Sequence, residues 1–450
     1  MKTNNTEALG TAPVGPLLLK LSIPAMAGMF MLSLYNVVDA FFVGRGVGAL
    51  GIASVFISFP ATLVIMAVSQ TFGVGGASVI ARALGAGRND DASVALGTIM
   101  TSGLLCALVM TAFLMIFTRP LLLMLGANHE IIESSLTYAD IIFIGTPVFF
   151  MMMVFNNLVR GEGNTRLSML SMAISSGVNI SLDPLFIFVF KWGLAGAAWA
   201  TVIAQICALI WLLYYYFSGK SAVAVRLHCL RRISLPLLTQ VISVGASAFV
   251  RQVGIAISWT VLNRIFADTG GAIGVAASGL VQRMLSLIIM PILGMGHGLL
   301  VGYNYGAKNY RRVLRGMGLA NVASTVICFV CAIFLLIFPR ELLALFSHDE
   351  ALLASGVRGI VCVAAGLSFA GSQTMISTYY QGIGSARLAF FLSMLRPLLL
   401  HPPLALVLAE LFGMNGAWAS FTAADVLAFA ISGAIYIRGR RELIQSELKA

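Results

Sequence analysis

Two aspartates stand inside long apolar segments, and they carry the most distinctive chemistry of this chain. Asp39 follows Tyr35 by four residues, and Asp183 follows Asn179 by the same spacing, so each acid shares a helix face with a polar partner. An acid at the centre of a bilayer costs about 2.5 to 3.5 kcal/mol on insertion scales, and such residues typically mark ion or substrate pathways. Two carboxylates that face one pocket can exchange protons near neutral pH, because each disfavours ionisation of the other. The alternative is that each acid only ties helices together through hydrogen bonds.

Prolines interrupt two of the apolar segments. Pro184 follows Asp183 directly, and proline removes a backbone donor and strains the preceding turn. We therefore predict a helix bend at Pro184 that leaves a carbonyl oxygen free to solvate a proton, a water or a cation. In the second half of the chain, His401-Pro402-Pro403 interrupts another apolar segment, where a hinge is favoured over a histidine proton relay.

The elements that position these residues are membrane-spanning helices. Hydrophobic residues make up 59% of the 450 residues, and charged residues only 10%. This apolar content exceeds the roughly 45 to 50% of soluble domains. A helix needs about 20 apolar residues to cross a bilayer. The sequence predicts an all-α polytopic protein with twelve such spans, near residues 16–41, 52–78, 93–117, 136–158, 166–190, 194–217, 236–265, 275–301, 316–338, 356–380, 390–411 and 415–438.

The twelve spans consist of one six-span unit that occurs twice. Gly85 recurs as Gly306 and Gly161 as Gly382, both 221 positions later. Because six is even, both copies enter the membrane from the same side and form parallel repeats. We expect a first six-helix lobe at 15–217, a linker at 218–235, a second lobe at 236–438 and a tail at 439–450.

The two repeats differ at the acidic positions. Thr260 occupies the position equivalent to Asp39, and Leu404 the position equivalent to Asp183. The predicted ion-coupling acids therefore belong to the first repeat alone.

The distribution of basic residues predicts the orientation. Most of the 28 lysines and arginines, including Arg231 and Arg232 of the linker, fall in segments that are cytoplasmic if the N-terminus is inside. Both termini are then cytoplasmic. The net charge of +11 follows from this topology and from anionic lipid, so nucleic acid is not an expected partner.

Enzymatic and metal chemistry find no support in the motifs. The glycine runs lack the Gly-Lys-Ser/Thr ending of a nucleotide site, and no Ser/His/Asp ordering, His-Glu-x-x-His motif or paired-carboxylate arrangement suggests an enzyme. Cys328 and Cys331 lie in the middle of an apolar segment without two further ligands, so they are interpreted as packing residues. We expect no enzyme activity, no cofactor and no metal beyond a possible sodium ion at Asp39 and Asp183.

A substrate cavity is the least defined part of the prediction. Phe149 and Met153 supply aromatic and sulfur groups that suit varied apolar cations, although lipid or core packing is the favoured interpretation of both. Arg251 and Arg283 lie within or beside spans of the second half. They either pair with Asp425 or with helix ends, line the cavity, or favour anionic cargo.

Several motifs, in this order and partly doubled, carry a family resemblance. The motifs are Leu34-Tyr35-Asn36-Val37-Val38-Asp39 with Phe42-Val43-Gly44, Arg82-Ala83-Leu84-Gly85-Ala86-Gly87, Arg160-Gly161-Glu162-Gly163-Asn164, Asn179 with Asp183-Pro184, and Gly302-Tyr303-Asn304-Tyr305-Gly306-Ala307-Lys308. With these motifs the chain resembles the multidrug and toxic compound extrusion (MATE) transporters over about residues 15–438. It resembles the DinF-like and MepA-like branches in particular, because the acids expected on spans seven and ten of the NorM branch are missing.

The resemblance implies a V-shaped pair of six-helix lobes that alternate access under an ion gradient. It further implies a monomer in the prokaryotic plasma (inner) membrane. In this family, protonation near the acid of the first span is linked to bending of that helix and to drug release, and sodium use at the same pocket is also argued. Residues that match the polar network of the first lobe are Asp39, Asn179, Asp183 and Thr201, joined by Tyr35, Tyr138 and Asn156.

The expected function is therefore cation-coupled antiport, driven by H+ and/or Na+, that exports amphipathic and often cationic organic compounds. The alternative is a flippase for a lipid-linked sugar or another lipidic metabolite, which the arginines of the second half would suit. A flippase cavity needs a basic surface for pyrophosphate, whereas a cavity for cationic drugs needs acids and aromatic rings.

Overall fold

The chain folds almost entirely into long apolar helices. Within the described ranges there is no β-strand, and most helices are long enough to cross a bilayer. Two short helices, Asn4–Thr11 and Pro339–Ala344, lie outside the spans. The computed structural model describes residues 4–125, 127, 129, 131–225, 229, 233–295, 297–344 and 349–448.

The first half contains spans 1 to 6. Span 4 is bent by 50° at Gly145, where its two helices meet. Span 5 changes from α-helical to π-helical geometry directly after Pro184. The bounds are Val14–Gly46 for span 1, Ala49–Gly85 for span 2, Asn89–Met124 for span 3, Ile132–Ile144 with Thr146–Gly161 for span 4, Thr165–Pro184 with Leu185–Val189 for span 5, and Gly193–Phe217 for span 6.

The second half contains spans 7 to 12. Spans 7 and 8 are joined within the helix Leu235–Leu293, which is broken at Gly271, and the separate helix His297–Gly306 completes span 8. Spans 11 and 12 are joined in the same way at Gly413. The bounds are Leu235–Gly271 for span 7, Ile273–Gly306 for span 8, Tyr310–Ile337 for span 9, Glu350–Gly382 for span 10, and Ala386–Met394 with the π-helix Leu395–Leu400 and residues 401–412 for span 11. Span 12 follows at 414–448.

The helix around Gly413 must cross the membrane twice. Its 60 residues would reach about 90 Å as one straight helix, three times the thickness of the hydrocarbon core. Gly413 has a φ of 59°, a conformation that glycine adopts without strain. The chain reverses there, since a Cβ atom at Gly416 would lie 1.8 Å from the carbonyl oxygen of Leu408. With this division, and with the bent pair counted as span 4, the described residues contain the twelve predicted spans.

Each half has its own hydrophobic core. Buried hydrophobic residues between positions 61 and 241 form one large cluster. Buried hydrophobic residues between positions 262 and 428, together with Leu18, form the other. The helix between Asn4 and Thr11 packs on the second half, where the Arg312 guanidinium donates hydrogen bonds to the carbonyls of Leu9 at 3.0 Å and Ala12 at 2.7 Å. The fold is therefore a pair of six-helix lobes, as predicted.

The two lobes meet closely at the ends of spans 2 and 8. A Cβ atom at Gly85 would lie 1.9 Å from the carbonyl oxygen of Tyr303, and one at Gly306 would lie 2.2 Å from that of Arg82. These two contacts are related by the repeat, since 85 and 82 become 306 and 303. Glycine is needed at both positions because a side chain would strike rigid backbone.

The segment after span 6 lies against the first lobe. The buried carboxylate of Glu162, between spans 4 and 5, accepts hydrogen bonds from Ser221 Oγ at 2.8 Å and the Ala222 amide at 3.1 Å. Farther along, the amide of Ser234 donates to Thr98 of span 3 at 3.2 Å. Arg231 and Arg232 of the predicted linker lie outside the described residues.

Candidate functional site

Span 5 presents the polar face that organises the site. It begins at the cap Asn164, whose side-chain oxygen accepts a hydrogen bond from the Leu167 amide at 3.2 Å. It ends its α-helical part at Pro184, and the π-helix Leu185–Val189 follows at once. A π-helical turn widens the backbone and frequently marks functional sites. The backbone is therefore irregular directly beside Asp183, and the predicted bend at Pro184 stays a prediction.

Asp183 and Asn179 are completely buried, with 0% of each residue exposed. The Asn179 side-chain amide donates to Asp183 Oδ1 and to Thr201 Oγ1 of span 6, both at 3.3 Å. Asn179 Oδ1 and Asp183 Oδ2 receive no hydrogen bond from donors of the described chain. Two buried acceptor oxygens therefore point into the site without a protein donor.

Span 1 completes the cluster with Asp39 and Tyr35. The carboxyl group of Asp39 lies within hydrogen-bonding reach of the Asp183 carboxyl group. The Tyr35 hydroxyl lies close to the Thr201 hydroxyl, and Tyr138 of span 4 lies close enough to interact with both acids. Six of the seven residues that the resemblance implied are therefore brought together, from spans 1, 4, 5 and 6.

This geometry has a direct chemical consequence for the two acids. Two carboxyl groups in hydrogen-bonding contact cannot both remain ionised without a proton or another cation between them. Among the described residues, neither Asp39 nor Asp183 forms an ion pair with a lysine, arginine or histidine. The surrounding amide and hydroxyl oxygens are ligands that suit a proton relay or a small alkali cation.

Asn156 lies apart from this cluster in the contacts it makes. Its amide donates to Ser171 Oγ at 2.6 Å and to the Ser168 carbonyl at 3.1 Å, and Ser168 Oγ donates back to its oxygen at 2.9 Å. These bonds hold span 4 against the beginning of span 5. Its contacts are therefore those of a helix-packing residue.

The four predicted cavity residues have different surroundings. Met153 is only 4% exposed and packs within the core of the first lobe, whereas Phe149 is half-buried at the edge of that core. Arg283 is exposed. Arg251 of span 7 is half-buried, and no described residue forms a hydrogen bond or ion pair with its guanidinium. The environment of Met153 matches the packing alternative.

The second lobe contains a buried ion pair that the sequence reasoning missed. The carboxylate of Asp425 in span 12 accepts a hydrogen bond from the Arg396 guanidinium of span 11. The suggestion that Asp425 pairs with Arg251 or Arg283 is wrong, because Arg396 on the neighbouring helix reaches it first. The position of Arg396 on the helix that corresponds to span 5 was the signal that could have identified it.

A histidine accompanies this ion pair. His401 is buried and its Nδ1 lies 2.9 Å from Ser258 Oγ of span 7, with its ring against Phe421. The helix that begins at His401 continues through Pro402 and Pro403, and the irregular turn instead precedes them as the π-helix Leu395–Leu400. The predicted interruption is therefore displaced by a few residues toward Arg396, because a proline in the first turn of a helix lacks only an amide that would be unpaired there anyway.

Fold and site together define a two-lobe, multi-pass membrane transport protein with a pair of contacting carboxyl groups inside the first lobe. The MatE family model matches residues 24–185 and 247–407, one match in each lobe. The chain belongs to the MatE family, whose members are transporters and not enzymes.

Individual relatives cover the whole chain. The multidrug export protein MepA of Staphylococcus aureus (strain N315) is 25% identical over 453 residues, which span 100% of this chain and 99% of the relative. A solved outward-facing conformation of a multidrug resistance MATE family transporter of the MOP superfamily is 26% identical, with a TM-score of 0.91 over 99% of this chain and 100% of that one. A MOP superfamily transporter from Pyrococcus furiosus, described by the reverse polarity of its binding pocket, is 27% identical with a TM-score of 0.93 over the full length of both chains.

Proposed function

We propose that this chain is a cation-coupled antiporter that exports amphipathic, often cationic organic compounds by alternating access, with H+ and/or Na+ as the coupling ion. The contact between the Asp39 and Asp183 carboxyl groups carries this proposal. Two contacting acids that have no counter-cation among the described residues require an exchangeable cation between them. A cationic cargo that enters the same lobe competes for this negative charge, and the competition links the two fluxes.

The energetics of such coupling are sufficient. One elementary charge that moves through 100 mV yields about 2.3 kcal/mol. A tenfold solute gradient costs about 1.4 kcal/mol, so one coupled charge sustains roughly a fortyfold gradient of neutral cargo.

The movement itself is assigned to the junction of spans 1 and 5. Asp183 is followed directly by Pro184 and a π-helical turn, so its α-helical ladder is already interrupted. Removal of the Asp39–Asp183 contact by a bound cargo would change the packing of span 1 against span 5. Spin-label distances between these spans, compared at pH 5 and pH 8 without sodium, test this assignment, and constant distances during proton-driven transport would contradict it.

The lobe boundaries and the orientation belong to the same proposal. We assign 15–217 and 236–438 to the lobes and 218–235 and 439–450 to cytoplasmic segments of a plasma (inner) membrane protein that works as a monomer. The close contact at Gly85 and Gly306 then closes the cytoplasmic side, which gives an outward-facing state. Cysteines introduced near Arg88, Arg231 and Arg312 should resist an impermeant label in intact cells, and those near Lys191 and Asp349 should react.

Transport in reconstituted vesicles tests the function. Tetraphenylphosphonium serves as an amphipathic cationic probe, and a proton gradient and a sodium gradient are imposed separately. Uphill movement of the probe under at least one gradient is expected, and its absence under both would contradict the proposal.

The flippase alternative draws on the arginines of the second lobe. The charge of Arg396 is already balanced by Asp425, so Arg251 is the described arginine of spans 7 to 12 that combines partial burial with no described partner. A fluorescent lipid pyrophosphate in the same vesicles distinguishes the two functions, since movement of the lipid without transport of tetraphenylphosphonium would favour the flippase.

A further inference from the structure

The ion pair of the second lobe occupies the same helices as the acid cluster of the first lobe. The repeat aligns spans 5 and 6 with spans 11 and 12. Arg396 aligns with Ser175, which lies one helical turn before Asn179, and Asp425 aligns with Ala204, three residues after Thr201. Both lobes therefore place a buried carboxyl group between corresponding helices.

Asp425 is buried almost as deeply as Asp183 of the first lobe. Only 2% of the residue is exposed, and its carboxylate lies against Gly366 of span 10, where an added Cβ atom would be 2.8 Å from Oδ2. Besides Arg396, the titratable groups around this pair are His401 of span 11 and Cys328 of span 9. Neither of them replaces the contact that Arg396 makes with Asp425.

The carboxylate sites of the two lobes differ in the source of the positive charge that compensates them. A buried carboxylate needs a counter-cation, because an isolated charge in an apolar interior is strongly disfavoured. The described surroundings of Asp39 and Asp183 supply none, whereas the second lobe supplies an arginine that stays protonated under all physiological conditions. Its cation cannot be exchanged.

We propose that Arg396 is the built-in counter-cation of a second, latent carboxylate site, and that it prevents the second lobe from binding the coupling cation. This inference rests on the proposed function in one respect only, namely that the ion excluded by Arg396 is the ion that drives transport. It makes Arg396 a specificity-determining residue, because it restricts cation exchange to one site in each molecule. Removal of its charge should turn Asp425 into a site for a proton or for Na+.

The test uses a background in which the first lobe has no acids. Asp39→Asn/Asp183→Asn is compared with the same chain carrying Arg396→Gln, and with that variant carrying Asp425→Asn as well. Thermal unfolding is measured in full-length purified protein from pH 5 to pH 9, with choline or with sodium chloride. Because the acids of the first lobe are absent from all three, the result does not depend on whether they couple transport.

The variant with Arg396→Gln should lose several degrees of unfolding midpoint as the pH rises, because Asp425 must give up the proton that compensates it. If the latent site also accepts Na+, sodium should raise the unfolding midpoint at high pH back toward its value at low pH. The other two proteins should lack this extra pH dependence. An Arg396→Gln variant with the same pH profile as its background, or a profile that persists after Asp425→Asn, would overturn the proposal.

A second measurement tests the proposal without purified protein, in case the Arg396→Gln variant folds poorly. Dicyclohexylcarbodiimide modifies protonated carboxyl groups in apolar surroundings, and mass spectrometry locates the product. Arg396→Met in membranes should label at Asp425 severalfold more than the background at pH 6, whereas Arg396→Lys should stay protected. Equal labelling of Asp425 in all three would contradict the proposal.

Discussion

The two lobes place a buried carboxyl group between corresponding helices but compensate its charge differently. In the first lobe, Asp39 and Asp183 contact each other and only neutral groups surround them. In the second lobe, Asp425 is paired with Arg396. The comparison teaches that a duplicated scaffold can keep one site exchangeable while the other becomes a fixed structural pair.

Backbone irregularity follows the same helices in both lobes. A π-helical turn begins directly after Pro184 in span 5, and another includes Arg396 in span 11. Each irregular turn therefore lies beside the charged group of its lobe. The first turn adjoins Asp183, whose compensating cation is exchangeable in our proposal. The second turn contains Arg396, which stays paired with Asp425.

The strongest way to break this comparison is to neutralise the acids of the first lobe. Asp39→Asn and Asp183→Asn should each insert and fold but lose uphill transport by more than about tenfold, because an amide preserves volume and hydrogen bonding but cannot exchange a proton. Transport under imposed gradients in vesicles is the measurement. Thr260→Ala is the matched control, since Thr260 is the equivalent of Asp39, is exposed, and bonds to its own helix at Ala256.

Normal uphill transport by both aspartate variants would remove the exchangeable site from the first lobe. A loss at Thr260 as large as that at Asp39 would instead indicate that both lobes couple in the same way.

The contact between the lobes provides the next prediction. Gly85→Ala or Gly306→Ala would drive a methyl group into backbone carbonyl oxygen, so the closed contact must open. Spin labels at positions 88 and 308 should then report a distance distribution shifted by several ångströms to longer values. Gly318→Ala, a helical position of span 9 with no atom within 4 Å of the added methyl group, serves as the control. An unchanged distribution in both contact variants would contradict the assignment of this contact to one of two alternating states.

Stability measurements sharpen the difference between a fixed and an exchangeable site. Arg396→Met or Asp425→Leu alone should destabilise the protein at pH 8 by about 3 to 5 kcal/mol, because each leaves an uncompensated partner. The double variant should recover most of this loss. Reversible unfolding in mixed micelles measures it, and a double variant that loses the sum of both single effects would argue against a mutually dependent pair.

The sequence predicted the fold well, because its main signals are local. Apolar segment length and the doubled motifs gave twelve spans in two repeats, and the paired spacing of Tyr35 with Asp39 and Asn179 with Asp183 identified four cluster members. Tyr138 and Thr201 came only from the family resemblance, since nothing local distinguishes one hydroxyl on a span from another.

The features that the sequence did not predict depend on contacts between helices that are distant in the chain. Asn156 has the residue type of a site amide, but it faces the start of span 5, and helix rotation is set by packing that a single segment does not encode. For the same reason pairing with Arg251 or Arg283 was the only partner considered for Asp425, as one of several alternatives for these arginines, although the repeat already placed Arg396 on the helix next to span 12.

Glu162 supplies a smaller, pH-dependent prediction outside the spans. Burial raises the pKa of its carboxyl from 4.5 to about 7, against the hydrogen bonds from the segment after span 6 that favour the charged form. A raised pKa means that the folded state holds the proton more tightly than the unfolded state, so stability is lost as the pH rises from about 4.5 to 7. The loss amounts to at most about 3 kcal/mol, from 1.36 kcal/mol per pKa unit.

Glu162→Gln should flatten that part of the stability profile, with its largest gain over the native chain above pH 7. The exposed Glu133→Gln variant should leave the profile unchanged. Chemical unfolding of purified protein at pH 5, 6, 7 and 8 provides the comparison, and parallel profiles for the native and Glu162→Gln chains would contradict the assigned burial effect.

The central claim is that the Asp39–Asp183 pair holds the cation that the cargo displaces. In its most direct test, tetraphenylphosphonium is added to purified protein in weakly buffered, sodium-free solution near pH 7, and the released protons are recorded. In a parallel sample that carries bound radioactive sodium, displacement of the sodium is followed. The native chain and Thr260→Ala should release about one proton or one sodium ion for each probe molecule bound, because two carboxyl groups share one cation. Asp39→Asn/Asp183→Asn should release neither. Release by that double variant equal to that of the native chain would contradict the claim.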